Sequence, residues 1–174
     1  PRPSSTMSPI PTILLGLGPI GQSIGRALAA QERLEAVGGV DIDPAIVGKR
    51  LDHICDANLP ALAIVDSLAA VHAPAGAVVL QATGSRLEAL SQQLLAAIGL
   101  GYHVVSTCEE LCWPWDDQPG LAGEINRAAQ AAGVAVLGVG VNPGFVMDTL
   151  PILLSRAEGE IEAVQVSRVV DVSR

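Results

Sequence analysis

Hydrophobic and polar positions alternate along this chain in a regular way. Short, almost wholly apolar runs are separated by longer stretches in which apolar residues recur at helical spacing. Continuous apolar runs of this length are typical of parallel strands that are buried on both faces of a sheet. The predicted strands are residues 13–15, 34–40, 77–82, 102–106 and 134–139, with a weaker one at 61–65.

The amphipathic stretches between these runs predict helices at residues 20–30, 44–51, 85–98 and 119–132. The third helix opens on Ser85, with Glu88 three residues later, which is the pattern of a capping box. Glycines, among them Gly133, follow the third and fourth helices and are predicted to end them. Strands that alternate with helices in this way predict an α/β fold with a doubly wound parallel sheet.

The C-terminal part of the chain departs from this alternation. Residues 145–156 predict a helix that Pro151 kinks or restarts. Residues 160–172 predict a long strand, because their valines share one face at a period of two. A terminal strand of this length is a liability unless a further domain covers it. We therefore divide the chain into a flexible tail at residues 1–8, a first domain at 9–141, and the truncated start of a second α+β domain at 142–174.

Composition narrows the class of protein. Of 174 residues, 49% are hydrophobic and 16% are charged, which excludes a disordered chain, and three scattered cysteines do not make a disulfide scaffold. The net charge is −8 with a single lysine, Lys49, so no basic face is available for nucleic acid. No apolar run approaches the roughly 18 residues that span a membrane. Unpaired cysteines without an export signal lead us to expect a cytoplasmic protein.

A glycine motif, G-x-G-x-x-G, follows the first predicted strand and opens the first predicted helix at residues 16–21. Such a turn lets the backbone approach a pyrophosphate, which the free N–H groups of the helix would hold. Asp41 ends the second predicted strand, where an acidic residue would bind ribose hydroxyls. The alternative is a glycine-rich turn that binds nothing. The predicted cofactor contacts here are Gly16, Gly18, Pro19, Ile20, Gly21 and Asp41.

Small and polar residues follow the later predicted strands, at the sheet edge where open α/β proteins bind ligands. We expect nicotinamide contacts from Ala82, Thr83, Gly84, Ser106, Thr107, Asn142 and Pro143. Glu109 and Glu110 come next after the fourth strand and are candidates for acid/base catalysis. The alternative for either is an acid placed at a helix N-terminus. No metal site is predicted, because two cysteines at positions 108 and 112 without nearby histidines cannot complete one.

Five segments together, GLGPIGQ, VDID, QATGS, VVSTCEEL and GVGVNPGFVMDTLP, resemble the 2,4-diaminopentanoate dehydrogenases and the related native amine dehydrogenases. That family is similar to the dihydrodipicolinate reductases. The resemblance covers nearly all of residues 11–174 and implies a Rossmann domain followed by a substrate domain. It also implies NAD(P)-dependent oxidative deamination of a small amine or the reverse reaction on an imine, with Glu109 or Glu110 as the acid/base.

Three functional alternatives stay open at this point. They are an amine dehydrogenase, an imine reductase of the dihydrodipicolinate reductase type, and a dinucleotide-binding fragment without catalysis. Asp41 favours NAD over NADP, because its carboxylate would repel a 2′-phosphate. For partners we expect a small amine or imine and a homo-oligomer of the full-length protein, with neither nucleic acid nor membrane.

Overall fold

A computed structural model describes residues 8–171 of the chain and contains one five-stranded, all-parallel sheet. The strands are Ile10–Leu15 (β1), Leu34–Val40 (β2), Val78–Gln81 (β3), His103–Ser106 (β4) and Val136–Gly138 (β5). The helices are Pro19–Ala29 (α1), Leu51–Cys55 (α2), Leu87–Gly99 (α3), Pro119–Ala132 (α4) and Leu150–Leu154 (α5). Short 3₁₀ turns occupy Leu68–Ala70, Glu109–Leu111 and Ser155–Ala157. No helix in the described part of the chain is long and apolar enough to cross a membrane.

The predicted doubly wound sheet is confirmed, with the strand order β2-β1-β3-β4-β5. The chain runs from β1 to one side and then returns to the other side, so the ends of β1 and β3 border the crevice where such folds bind ligands. Val65 makes one parallel bridge to Val40 on the outer side of β2. The weak strand predicted at residues 61–65 is therefore reduced to isolated bridges.

Both faces of the sheet are covered, which explains the continuous apolar runs. Along β1, Ile13 packs with α3 and α4 in one buried cluster, while Leu14 packs with α1 and α2 in another. Helix α4 has the predicted bounds and ends at Gly133, whose φ of 67° is left-handed. Pro151 lies in the first turn of α5 and restarts the helix there. A wide turn at Val141–Thr149 precedes it and is kinked by non-helical backbone angles at Asn142, Pro143 and Gly144.

The helix predicted at residues 44–51 is wrong. Those residues form turns, and the helix α2 begins only at Leu51. Gly48 has a φ of 81°, and its N–H donates to the carbonyl of Ile64 at 2.8 Å. The N–H of Leu51 likewise donates to Leu62. From Gly48 to Leu51 the backbone is thus paired with the neighbouring segment, so the local turns before it, such as the bond from the N–H of Val47 to the carbonyl of Asp43, do not extend into a helix.

The capping box predicted at Ser85 is also wrong. Helix α3 begins at Leu87 and has Arg86 as its N-cap residue. The side chain of Arg86 makes no capping hydrogen bond. Instead the carboxylate of Glu110 accepts a hydrogen bond from the N–H of Leu87 at 2.8 Å. A residue from a distant segment therefore caps the helix.

The long strand predicted at residues 160–172 is absent from residues 160–171, which form no regular secondary structure. A strand is held by hydrogen bonds to a neighbour, and no strand of the described sheet runs beside this segment. Several of its apolar side chains are exposed, including Val169 and Val170. Val172 and residues 1–7 of the tail predicted at 1–8 lie outside the described residues.

Candidate active site

The glycine turn joins β1 to α1 and has little room for side chains. Gly16 has a φ of 86°, and a Cβ there would lie 2.7 Å from the carbonyl oxygen of Ala82. A Cβ on Gly21 would overlap the carbonyl oxygen of Gly16. Gly18 differs, because a Cβ there would meet no atom within 4 Å. Gly16 and Gly21 therefore allow the turn to form, whereas Gly18 leaves its outer side open.

Helix α1 presents unpaired donors at this open side. Gly18 is its N-cap residue, Pro19 stands in its first turn, and no side chain caps the helix. The first backbone donor with an intrahelical partner is the N–H of Gln22, which donates to the carbonyl of Gly18 at 2.9 Å. The N–H groups before it, together with the positive end of the helix dipole, form a site suited to an anion.

Asp41, at the end of β2, is tied to the glycine turn. One carboxylate oxygen accepts a hydrogen bond from the N–H of Leu17 at 2.6 Å. The other accepts one from the N–H of Asp43 at 2.9 Å. Asp41 therefore orders the loop itself, in addition to the ribose contact that the sequence predicts for it.

A cleft of about 830 Å³ opens beside the turn. It is bordered by the ends of β1, β2 and β3, by the turn at Leu68–Ala70 and by one face of α3. Of the predicted cofactor contacts it brings together Gly16, Gly18, Asp41, Ala82 and Thr83. Sequence reasoning missed several lining residues, namely Ile42, Asp66, Ser67, Gln92 and Gln93. Ile42 carried a usable signal in the sequence, because it directly follows Asp41.

Three polar side chains form a network at the wall of this cleft. The amide nitrogen of Gln81 donates to Oε1 of Gln93 at 2.9 Å, and the hydroxyl of Thr83 donates to the same oxygen at 2.7 Å. Gln81 is only 1% exposed, and its Oε1 has no hydrogen-bond partner among the described residues. Leaving a buried amide oxygen unpaired costs about 1–3 kcal/mol.

The remaining predicted contacts lie elsewhere. Ser106 is fully buried, and its Oγ accepts the N–H of Cys108 at 3.1 Å, so it shapes the loop after β4. The N–H of Thr107 donates to the carbonyl of Gln81 at 3.0 Å. Pro143 lines a second pocket. Pro19, Ile20, Gly21, Gly84, Ser106, Thr107, Asn142 and Pro143 do not line the cleft.

The second pocket, of about 490 Å³, lies beyond the ends of β4 and β5. Its wall carries four carboxylates and no basic residue, which favours a cationic ligand over an anionic one. Trp113 supplies an apolar wall and is 66% exposed. The lining residues are Glu109, Glu110, Cys112, Trp113, Asp117, Gly138, Pro143, Gly144 and Asp148.

The two adjacent glutamates have different surroundings. One carboxylate oxygen of Glu110 accepts both the N–H of Leu87 at 2.8 Å and the amide of Gln118 at 2.7 Å. Glu110 thus joins the start of α3 to the residue that precedes α4. The carboxylate of Glu109 makes no hydrogen bond within residues 8–171 and is exposed at the pocket. Of the two, Glu109 is the one free to act on a ligand.

Burial favours the thiol form of the two cysteines near the pocket. Burial raises the pKa of Cys108, whose thiol donates to the carbonyl of Ser85 at 3.2 Å. Burial raises the pKa of Cys112 as well, and the charges of Asp148 and Glu109 add to this. No group of three or more histidine, cysteine, aspartate or glutamate side chains within residues 8–171 is placed to hold a metal ion.

A parallel doubly wound sheet, a glycine turn at its switch point and clefts at its carboxyl edge define a domain of the Rossmann type. No protein-family model matches the chain. Over 167 residues it is 30% identical to 2,4-diaminopentanoate dehydrogenase from Acetoanaerobium sticklandii, covering 94% of this chain and 47% of that enzyme. This match confirms the resemblance that the sequence motifs predict. The chain spans about half the length of that curated relative.

Solved structures show the same fold. The amine dehydrogenase from Mycobacterium smegmatis matches with a TM-score of 0.75 and 23% identity, over 87% of this chain and 45% of that one. The WlbA dehydrogenase from Bordetella pertussis, in complex with NADH and UDP-GlcNAcA, matches with a TM-score of 0.55 and 25% identity. That match covers 76% of this chain and 35% of the other.

Proposed function

We propose that this chain forms the nicotinamide-dinucleotide domain of an oxidoreductase that acts on the CH–NH₂ group of a small amine. The observation that carries the proposal is a pair of clefts at one edge of the sheet. One has the glycine turn and the open start of α1, and the other has the free carboxylate of Glu109. The relatives named above are dehydrogenases, among them an amine dehydrogenase.

The glycine turn and α1 would hold the pyrophosphate, with Asp41 on the ribose at the far end of the cleft. The residues that follow β4 and β5 would then border the nicotinamide. A nicotinamide held there would supply a hydride acceptor for the carbon that bears the amine, and water would hydrolyse the resulting imine to a carbonyl with release of ammonia. The chain's own task would be to hold the two reacting carbons in contact.

Glu109 would act as the general base. A carboxylate at this position attracts the ammonium form of the substrate and can accept its proton before hydride leaves. It can return a proton in the reverse reaction. Glu110 would not act as the base, because its carboxylate accepts hydrogen bonds from Leu87 and Gln118. We therefore assign Glu109 the base and Glu110 a supporting role.

The electrostatics of the pocket bear on the substrate. Dihydrodipicolinate is a dicarboxylate, and the described pocket offers it four carboxylates and no cation. This arrangement favours an amine as substrate over the reductase alternative. NAD is the favoured cofactor, because the carboxylate of Asp41 would repel the 2′-phosphate of NADP.

Residues 9–141 would make the cofactor domain, and the chain from residue 142 onward would belong to a substrate domain. Exposed apolar side chains support this division, since Phe145 on the wide turn and Ile152 and Leu154 on α5 all face solvent. A surface of this kind is typical of an interface. A homo-oligomer built through the substrate domain stays a prediction.

The test has two stages. Titration of this chain with NADH and NADPH, followed by fluorescence, measures whether the cleft binds a dinucleotide and which one. Turnover of NAD⁺ with a panel of small primary amines is then measured in the complete polypeptide that contains these residues. Binding with turnover on amines supports the proposal. Binding without turnover on any amine or imine would indicate a non-catalytic module, and no binding would reject the cofactor domain.

A further inference from the structure

Gln93 stands on α3 at the wall of the cofactor cleft, away from the glycine motif in sequence. Its Oε1 accepts two hydrogen bonds, from the amide of Gln81 and from the hydroxyl of Thr83. Two donors on one oxygen fix the plane and the direction of the amide group. Its Nε2 has no hydrogen-bond partner among the described residues. The amide is therefore a donor that is oriented in advance and left unused.

Gln81 supports this orientation at a cost to the fold. It ends β3, a strand otherwise made of Val78, Val79 and Leu80, and its side chain is buried with an unpaired oxygen. An aliphatic residue would avoid that unpaired oxygen. Buried polar groups that are not fully paired call for an explanation beyond packing. What Gln81 does in the structure is hold the amide of Gln93.

We propose that Gln93 is a cofactor-binding residue whose amide nitrogen donates a hydrogen bond to the ADP half of the dinucleotide. This inference rests on the proposed function. The assignment to the ADP half follows from the cleft, which Gln93 shares with Gly18, Asp41 and Ile42. Of the residues expected near the nicotinamide, that cleft holds Ala82 and Thr83 but not Ser106, Thr107 or Asn142. ADP presents mainly acceptors, namely phosphate oxygens, ribose oxygens and ring nitrogens. An amide N–H at the wall of the cleft matches such a ligand.

The decisive variant is Gln93→Glu. A glutamate keeps an oxygen that can accept from Gln81 and Thr83, so the inner network is retained, but the outward donor becomes a charged acceptor. We expect the affinities for ADP and for NADH to fall together by about tenfold or more. Gln130→Glu, on the exposed side of α4, makes the same change of charge away from the cleft and is the matched control. Thermal unfolding of each variant reports whether the fold is kept.

Four results would overturn the inference. They are an unchanged ADP affinity in Gln93→Glu, a higher affinity in that variant, a loss for NADH without a loss for ADP, and an equal loss in Gln130→Glu. If Gln93→Glu does not fold, Gln93→Met removes the same donor without adding charge, and the same fall in ADP affinity is expected. If the unsubstituted chain binds neither ADP nor NADH, the proposed function fails, which is a different outcome from a binding chain that ignores Gln93.

Discussion

The backbone N–H of Leu17 donates a 2.6 Å hydrogen bond to the carboxylate of Asp41, across 24 residues of sequence. This bond ties the glycine turn after β1 to the end of β2. Asp41 therefore has two functions that can be separated by mutation. Its acceptor oxygen orders the turn, and its negative charge is proposed to set the preference for NAD over NADP.

We expect Asp41→Asn to narrow the preference for NAD over NADP while the fold is kept, because an amide oxygen can still accept from Leu17. Asp41→Ala should narrow the preference too and also lower the free energy of unfolding by about 1–2 kcal/mol. The measurements are paired affinities for NADH and NADPH, with urea denaturation. Asp43→Asn, which lies outside the cleft, is the control. Unchanged discrimination in both Asp41 variants would remove Asp41 from this role.

Gly18→Val should abolish dinucleotide binding without loss of stability. The added side chain has open space around it and a permitted φ of −65°, but it fills the side of the turn that a pyrophosphate must approach. Gly21→Ala, by contrast, should destabilise the fold. The free energy of unfolding should fall by about 1–3 kcal/mol, because the added Cβ overlaps the carbonyl oxygen of Gly16. Calorimetry and NADH titration separate the two effects. Retained affinity in Gly18→Val would mean that the site is misplaced.

Glu110→Ala should destabilise the fold by about 1–2 kcal/mol, because it removes the acceptor that caps α3 and binds Gln118. Ser85→Ala should change stability by less than about 0.5 kcal/mol, since the hydroxyl of Ser85 does not cap the helix. Urea denaturation of both variants measures the difference. A larger loss in Ser85→Ala than in Glu110→Ala would restore the capping box that the sequence predicts.

Glu109→Gln should lower turnover of the complete enzyme by about 10²–10⁴-fold, which is typical for loss of a positioned base. Its affinity for NADH should stay unchanged, because Glu109 does not line the cofactor cleft. Glu124→Gln, on the exposed face of α4, is the control. A large loss of turnover in Glu110→Gln with normal stability would reverse the assignment, and normal turnover in both variants would end the carboxylate-base mechanism.

Most of the fold could be predicted from the sequence, because local patterns and tertiary packing agree there. Parallel strands buried on both faces leave continuous apolar runs, and Gly133 marks the end of α4 with the left-handed conformation that glycine adopts most readily. The errors occur where a distant segment decides the outcome. Residues 44–51 pair with residues 62–64 instead of forming a helix, and no local pattern records that pairing.

In the candidate site, too, the residues set by local patterns could be predicted and those set by distant segments could not. The glycine turn and Asp41 were found because their spacing is set within one strand–helix–strand unit. The network of Gln81, Thr83 and Gln93 was missed, because two glutamines 12 residues apart carry no signal until β3 and α3 are packed together. The choice between Glu109 and Glu110 likewise depends on Leu87 and Gln118, which contact Glu110 only in the folded chain.

The carboxylate of Glu110, in the turn after β4, connects this turn to the loop after β3 and to the start of α4. This connection has a thermodynamic consequence. The loop before Leu87 borders the first cleft, and the turn that carries Glu109 borders the second. Opening of either segment would break a hydrogen bond to Glu110. We therefore expect the backbone amides of the two segments to exchange with solvent as one cooperative unit.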